Sequence, residues 1–188
     1  MLQQALIDHC SPTLARIKQG SLFTLPCAGA DCLDRQMESV NAVLVPKGLR
    51  LMVLREKEGR TLLYLYRAAD LAARLSERDT QAFLRACGYA DLAPEAALDT
   101  LRARLTARDD FPHEIGVFLG YPLADVIAFI ENEGQNCLCC GCWKVYFNEC
   151  AARRTFELYR KCKRLYLQRF QAGCPLSRLA VASRPASA

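Results

Sequence analysis

The stretch Leu49-Arg50-Leu51-Met52-Val53-Leu54-Arg55, then Glu56-Lys57-Glu58-Gly59-Arg60, then Thr61-Leu62-Leu63-Tyr64-Leu65-Tyr66 decides the fold class. Its flanks are rich in aliphatic, β-branched and aromatic residues, and a short polar run joins them, which is the pattern of two antiparallel strands and a turn. Upstream, Pro46-Lys47-Gly48 reads as a turn and Ser21 to Pro26 as an extended piece. Between them a polar stretch to Arg35 leads into a segment, helix or strand, that ends at Val45. Downstream the spacing predicts helices over 70–75, 79–87 and 94–107, the last with Ala97, Leu98, Leu101 and Leu105 on one face. The expectation is an α+β fold, a small and mainly antiparallel sheet covered by several helices. It forms a single domain over 1–176, with a flexible tail over 177–188.

A chain of 188 residues suits one domain with a substantial core. No run approaches the roughly 20 apolar residues of a membrane helix, and Met1 to Asp8 lacks the basic start and apolar centre of a signal peptide. A soluble, cytoplasmic protein with no membrane partner is expected. The eleven cysteines are an odd number, and without an export signal reduced thiols are the default. Charge is uneven. Nine Lys or Arg face one acid, Glu157, from Arg153 onward, for +8, which leaves −3 on residues 1–152 of a chain whose net charge is +5.

Ser11-Pro12 reads as a helix start, with Ser as cap, Pro in the first turn and Gly20 as the stop. Cys10 then sits before a helix N-terminus, where free amides and the macrodipole favour a thiolate. A cysteine with a histidine in reach is the minimum for a nucleophilic thiol. The sharpest enzymatic expectation is therefore Cys10 with His113 or, second, His9, and Lys18, Glu114 and Tyr121 are the groups expected to bind substrate. The ordinary alternative has Cys10 in the core, His9 exposed and His113 as a cap or core residue. A carboxylate pair of Glu114 and Asp125 receives no support from spacing alone.

Cys137-Leu138-Cys139-Cys140-Gly141-Cys142 is the densest thiol cluster, and thiolates bind zinc or iron-sulfur clusters well. Four ligands within six residues strain a tetrahedron, so a better site borrows from Cys27, Cys32 or Cys150. A thiol-rich loop without metal is the alternative. Asn148 is placed to cap a long helix over 149–171, whose Phe156, Tyr159, Lys163, Tyr166 and Phe170 follow helical steps while Arg153, Arg160, Lys161 and Arg164 face outward. That basic face suits an acidic protein partner, unless it is simply solvated. DNA is not expected, because Leu123 to Glu133, the helix that would read a groove, has acids and no bases.

Phe111-Pro112-His113-Glu114-Ile115-Gly116-Val117-Phe118-Leu119-Gly120-Tyr121-Pro122-Leu123-Ala124-Asp125-Val126-Ile127-Ala128-Phe129-Ile130 reads as two helices joined at Gly120-Tyr121-Pro122. With His9 to Lys18 and Trp143-Lys144-Val145-Tyr146, this run resembles a bacterial family catalogued as domain of unknown function 3793. The resemblance implies a soluble bacterial protein in a redox- or metal-linked setting, beside flavodoxin-like or iron-handling proteins, and carries over no catalytic residue. Three functional expectations follow: a thiol-centred site at Cys10, a metal- or redox-cofactor accessory protein using Cys137 to Cys142, or an interaction module docking an acidic protein, such as a flavodoxin-like one, on its basic helix.

Overall fold

The computed structural model describes residues 1–26, 30–107 and 111–183, with backbone alone for 30–32. It begins with α1 (Leu2–Leu14), β1 (Gly20–Pro26), α2 (Ala30–Leu44), a tight 3-10 turn (Val45–Lys47), β2 (Leu49–Lys57) and β3 (Arg60–Arg67). Helices α3 (Ala68–Ser76), α4 (Arg78–Ala86), α5 (Pro94–Ala107), α6 (Ile115–Phe118) and α7 (Leu123–Glu131) follow. A short hairpin, β4 (Cys139–Cys140) and β5 (Lys144–Val145), leads into α8 (Glu149–Gln171) and α9 (Leu176–Leu179). The fold is α+β, with antiparallel sheets ordered β1-β3-β2 and β4-β5. None of the described helices is long and apolar enough to cross a membrane.

Two compact units divide the chain, Met1–Asp70 with Cys162–Ala188, and Leu71–Lys161. In the first, the 49–66 hairpin forms as its sequence dictates, but its strands run further than the polar linker suggested. The turn is the two residues Glu58 and Gly59, both at positive φ (53° and 69°), the geometry that matches strand twist in a two-residue hairpin. Leu63 and Leu65 of the central strand pair with Phe23 and Ser21 on one side and with Val53 and Leu51 on the other. Alternation sends these side chains to one face. There Leu63 and Leu65 share a core with Leu6, Ile7, Cys10 and Leu14 of α1. At the outer edge of β2, the Asn41 side chain donates to the Leu51 carbonyl and accepts from the Leu51 N–H, both at 2.9 Å.

The start of α1 differs from the sequence expectation. The helix begins at Leu2, and Pro12 falls within its last turn instead of its first. Leu2, Leu6, Cys10 and Leu14 form a buried stripe at four-residue steps, and that stripe outweighs the local signal of Ser-Pro. The Ser11 hydroxyl bonds back to the Ile7 carbonyl instead of capping a new helix.

Arg67, at the end of β3, lies on the same face as Leu63 and Leu65 and is 0% exposed. Its Nε donates to the Thr13 carbonyl, and its Nη2 to the carbonyls of Leu14 and Val181, each at 2.9 Å. The guanidinium thereby satisfies two of the carbonyls that the end of α1 leaves without helical partners. It also fixes the last part of the chain. Residues 177–183 fall in the stretch expected to be a flexible tail; 177–179 complete α9, Leu179 and Ala180 are buried, and the Val181 N–H donates to the Leu14 carbonyl at 2.9 Å. Residues 184–188 lie outside the described residues. Replacing Arg67 by Met removes a charged donor from three carbonyls, of which Thr13 and Leu14 keep backbone donors in the Arg16 and Val181 N–H groups and Val181 loses its guanidinium partner, and is expected to lower the unfolding free energy by about 2 to 4 kcal/mol. Chemical denaturation checks this; a change below about 1 kcal/mol would show that water replaces the guanidinium.

Candidate functional site

In the second unit, α6 is one turn that closes with a glycine cap. Gly120 has φ +73°, its N–H donates to Val117 O at 3.1 Å, and the Tyr121 N–H donates to Gly116 O at 2.9 Å, the paired bonds of a Schellman motif. Pro122 then opens α7. A Cβ at Gly116 would stand 2.7 Å from a Val126 methyl and 3.2 Å from the Tyr121 ring, so glycine is what lets α6 approach α7 this closely.

Asp125, in the first turn of α7, is buried at 3% exposure, yet its carboxylate is fully engaged. Oδ2 accepts from Trp143 Nε1 at 2.8 Å, and Oδ1 accepts from the N–H groups of Tyr146 and Phe147 at 2.9 and 3.0 Å. One side chain therefore ties α7 to the whole segment around β5. Trp143 in turn stacks on Tyr121, with ring centroids 5.2 Å apart, and meets Phe156 edge-on at 4.6 Å. Neighbouring Lys144 donates to the Gly134 carbonyl at 2.6 Å and holds its ammonium 5.7 Å from the centre of the Phe129 ring. His113 meets that same ring edge-on at 5.0 Å.

Together these groups enclose a cleft of about 170 Å³, walled by His113, Tyr121, Phe129 and Trp143 over Gly116 and Val126, with Asp125 and Lys144 as its charged lining. Burial, with smaller contributions from Cys142 and Tyr159, pushes the Tyr121 phenol well above its ordinary pKa, so the hydroxyl stays protonated. Residues 6–180 match the model of a family described as a protein of unknown function (DUF3793). The chain belongs to the DUF3793 family. No curated protein and no solved structure matches it.

In this DUF3793 chain the sequence-derived site residues go to different places. His113 and Tyr121 line the cleft. Glu114 does not: it is buried in an ion pair with Arg104, Nε to Oε1 at 2.6 Å, and the Tyr89 hydroxyl donates to it at 3.4 Å. The Arg104 guanidinium also lies over the Tyr89 ring and donates to the Cys87 carbonyl, so Glu114 belongs to a packed polar network rather than to a ligand site. Cys10 and Lys18 fall in the first unit and His113 in the second. Cys10 lies mid-helix and 0% exposed, and burial raises its thiol far above the ordinary range, with Lys18 only partly opposing. The helix N-terminus expected to favour a Cys10 thiolate is absent, and so is the solvent access that a reactive thiol needs. His9, next in sequence, is exposed on another side of α1 and stacks on Phe23 at 5.8 Å.

The cysteine cluster is spread by its own hairpin. Cys139 and Cys140 are successive residues of β4 and point to opposite faces. Cys139 packs beside Val145, Ala152 and Phe156, whereas Cys140 and Cys142 are exposed and Cys137 is half-buried. Among the described residues, no three His, Cys, Asp or Glu side chains are grouped to hold a metal ion. Cys27 and the side chain of Cys32 lie outside the described residues.

Sequence reading did not assign Phe129, Trp143 or Lys144 to the site, and considered Asp125 only as an acid. The available signal was the Trp143 to Tyr146 stretch, whose partner lies eighteen residues upstream at Asp125. In the native protein, a maleimide at neutral pH is expected to label Cys140, Cys142 and Cys150 first and Cys10 last, read by site-resolved mass spectrometry. Cys162, buried and pushed up to about 11, should gain reactivity only as pH rises towards that value. Fast labelling of Cys10 at neutral pH would reinstate a reactive thiol there.

Proposed function

We propose that this protein binds a compact, ring-shaped small molecule in the cleft between α6, α7 and β5. The observation that carries this reading is the preformed aromatic enclosure held by Asp125. A cavity of about 150 Å³ with apolar walls is enough to take up a single benzene ring. The cleft, at about 170 Å³, offers the same capacity, with His113, Phe129 and the Tyr121–Trp143 stack as ring-shaped walls. Asp125 serves as a fixed post, since its oxygens already accept three hydrogen bonds. The segments that line the cleft, within 111–130 and 143–146, are two of the three that carry the family resemblance in sequence.

Trp143 is the only tryptophan in the chain, so its fluorescence reports on the cleft alone. A titration with single-ring compounds is expected to change that emission saturably, and Phe129→Ala to weaken binding by about tenfold through loss of one aromatic wall. A flat response across a panel of such compounds would overturn the reading.

A second reading rests on α8, which carries seven Lys or Arg against Glu149 and Glu157 and leaves Leu158 and Leu165 exposed at 49% and 46%. Bases interleaved with exposed leucines suit an acidic protein surface, of the kind flavodoxin-like proteins present. Its affinity for such a protein should fall steeply with added salt and further with Lys161→Glu. Affinity indifferent to salt would exclude this mode.

A further inference from the structure

The polar groups of the cleft are unequally committed, and that inequality defines what a ligand must carry. Asp125, its one carboxylate, is buried and accepts from three donors, so it has little left to offer a cationic ligand. Lys144 is the opposite case. An ammonium has three N–H bonds to donate, and the contacts seen for this one are the Gly134 carbonyl and the face of Phe129. Among the described residues no carboxylate pairs with it. A cationic ligand would also have to share the Phe129 ring with an ammonium already seated over it. His113, exposed at the same ring, adds a second nitrogen-bearing side chain on that side of the cleft.

Resting on the small-molecule reading above, we propose that the ligand is a single-ring carboxylate. Its ring lies between Phe129 and the Tyr121–Trp143 stack, and its carboxylate accepts from Lys144 Nζ. Gly134 is built into the arrangement. At φ +72° it turns the chain after α7, and a Cβ there would meet the Phe129 ring at 3.1 Å and the ammonium at 3.4 Å. The glycine therefore keeps open the space in which Lys144 sits, and an ammonium with three N–H bonds has donors beyond the one given to the Gly134 carbonyl.

Benzoate and benzamide share ring and size and differ in charge, so they test the proposal directly. By Trp143 fluorescence and calorimetry on the full chain, benzoate should bind about tenfold or more tightly than benzamide, the margin of a charge-assisted hydrogen bond. Lys144→Met, checked for folding by circular dichroism, should remove that preference while benzamide binding persists; Lys144→Gln serves if the Met variant misfolds. Equal affinities of the wild type for the two probes would overturn the carboxylate assignment and leave the cleft reading standing. Failure of both probes to bind would overturn both.

Discussion

A helix that ends inside a protein must find donors for its last carbonyls, and at the end of α1 one buried cation shares that task with backbone N–H groups from residues 15–18 and 181. Arg67 sits at the end of the central strand, on the face that packs against α1, and its planar fork reaches three main-chain carbonyls at once. A lysine has the charge but lacks the geometry. Desolvation lowers the guanidinium pKa, an effect that the Asp70 carboxylate partly offsets. The first unit is thus closed by a polar clasp at the rim of an apolar core. Residues 176–183 are held by that clasp and by the burial of Leu176 and Leu179.

The second unit solves a similar problem with the opposite charge. Asp125 gathers an indole N–H and two backbone N–H groups from a segment whose own pairing is confined to the short β4–β5 hairpin, two residues a strand. Glu114 and Arg104 show the remaining strategy, an ion pair between a buried carboxylate and a half-buried guanidinium whose members also bond to Tyr89 and the Cys87 carbonyl. Such pairs hold geometry more than they add stability, because desolvation offsets much of the attraction. In each case a charge is spent on positioning, and this is why so few of the buried charged residues are open to chemistry.

What was legible in the sequence follows from the range of the forces involved. The hairpin could be read because alternation and a glycine turn are local, and α5 because Pro94 opens it and its leucines repeat at helical steps. The first helix was misplaced because Ser-Pro is a strong local signal, while the stripe from Leu2 to Leu14 that overrides it is a packing effect. In the candidate site, His113 and Tyr121 stood out as a rare residue and as part of a helix junction. Their partners Trp143 and Lys144 did not, since only the tertiary bond to Asp125 brings that segment to α7. Cys10 drew attention by its type and its neighbours, but the decisive quantity, solvent access, is a property of the assembled core.

The small bond pair between Asn41 and Leu51 has a consequence for the behaviour of the protein in concentrated solution. An edge strand with free N–H and C=O groups is a template on which another chain can extend the sheet, and β2 is such an edge, rich in Leu and Val. The Asn41 amide imitates a neighbouring strand at Leu51, supplying one donor and one acceptor at the spacing a real strand would use. That rung is occupied from within, and Arg50, Arg55 and Lys57 lie along the same strand, both devices that disfavour edge-to-edge pairing. A single amide on α2 thereby takes from a would-be partner strand one of the rungs it would need on this edge.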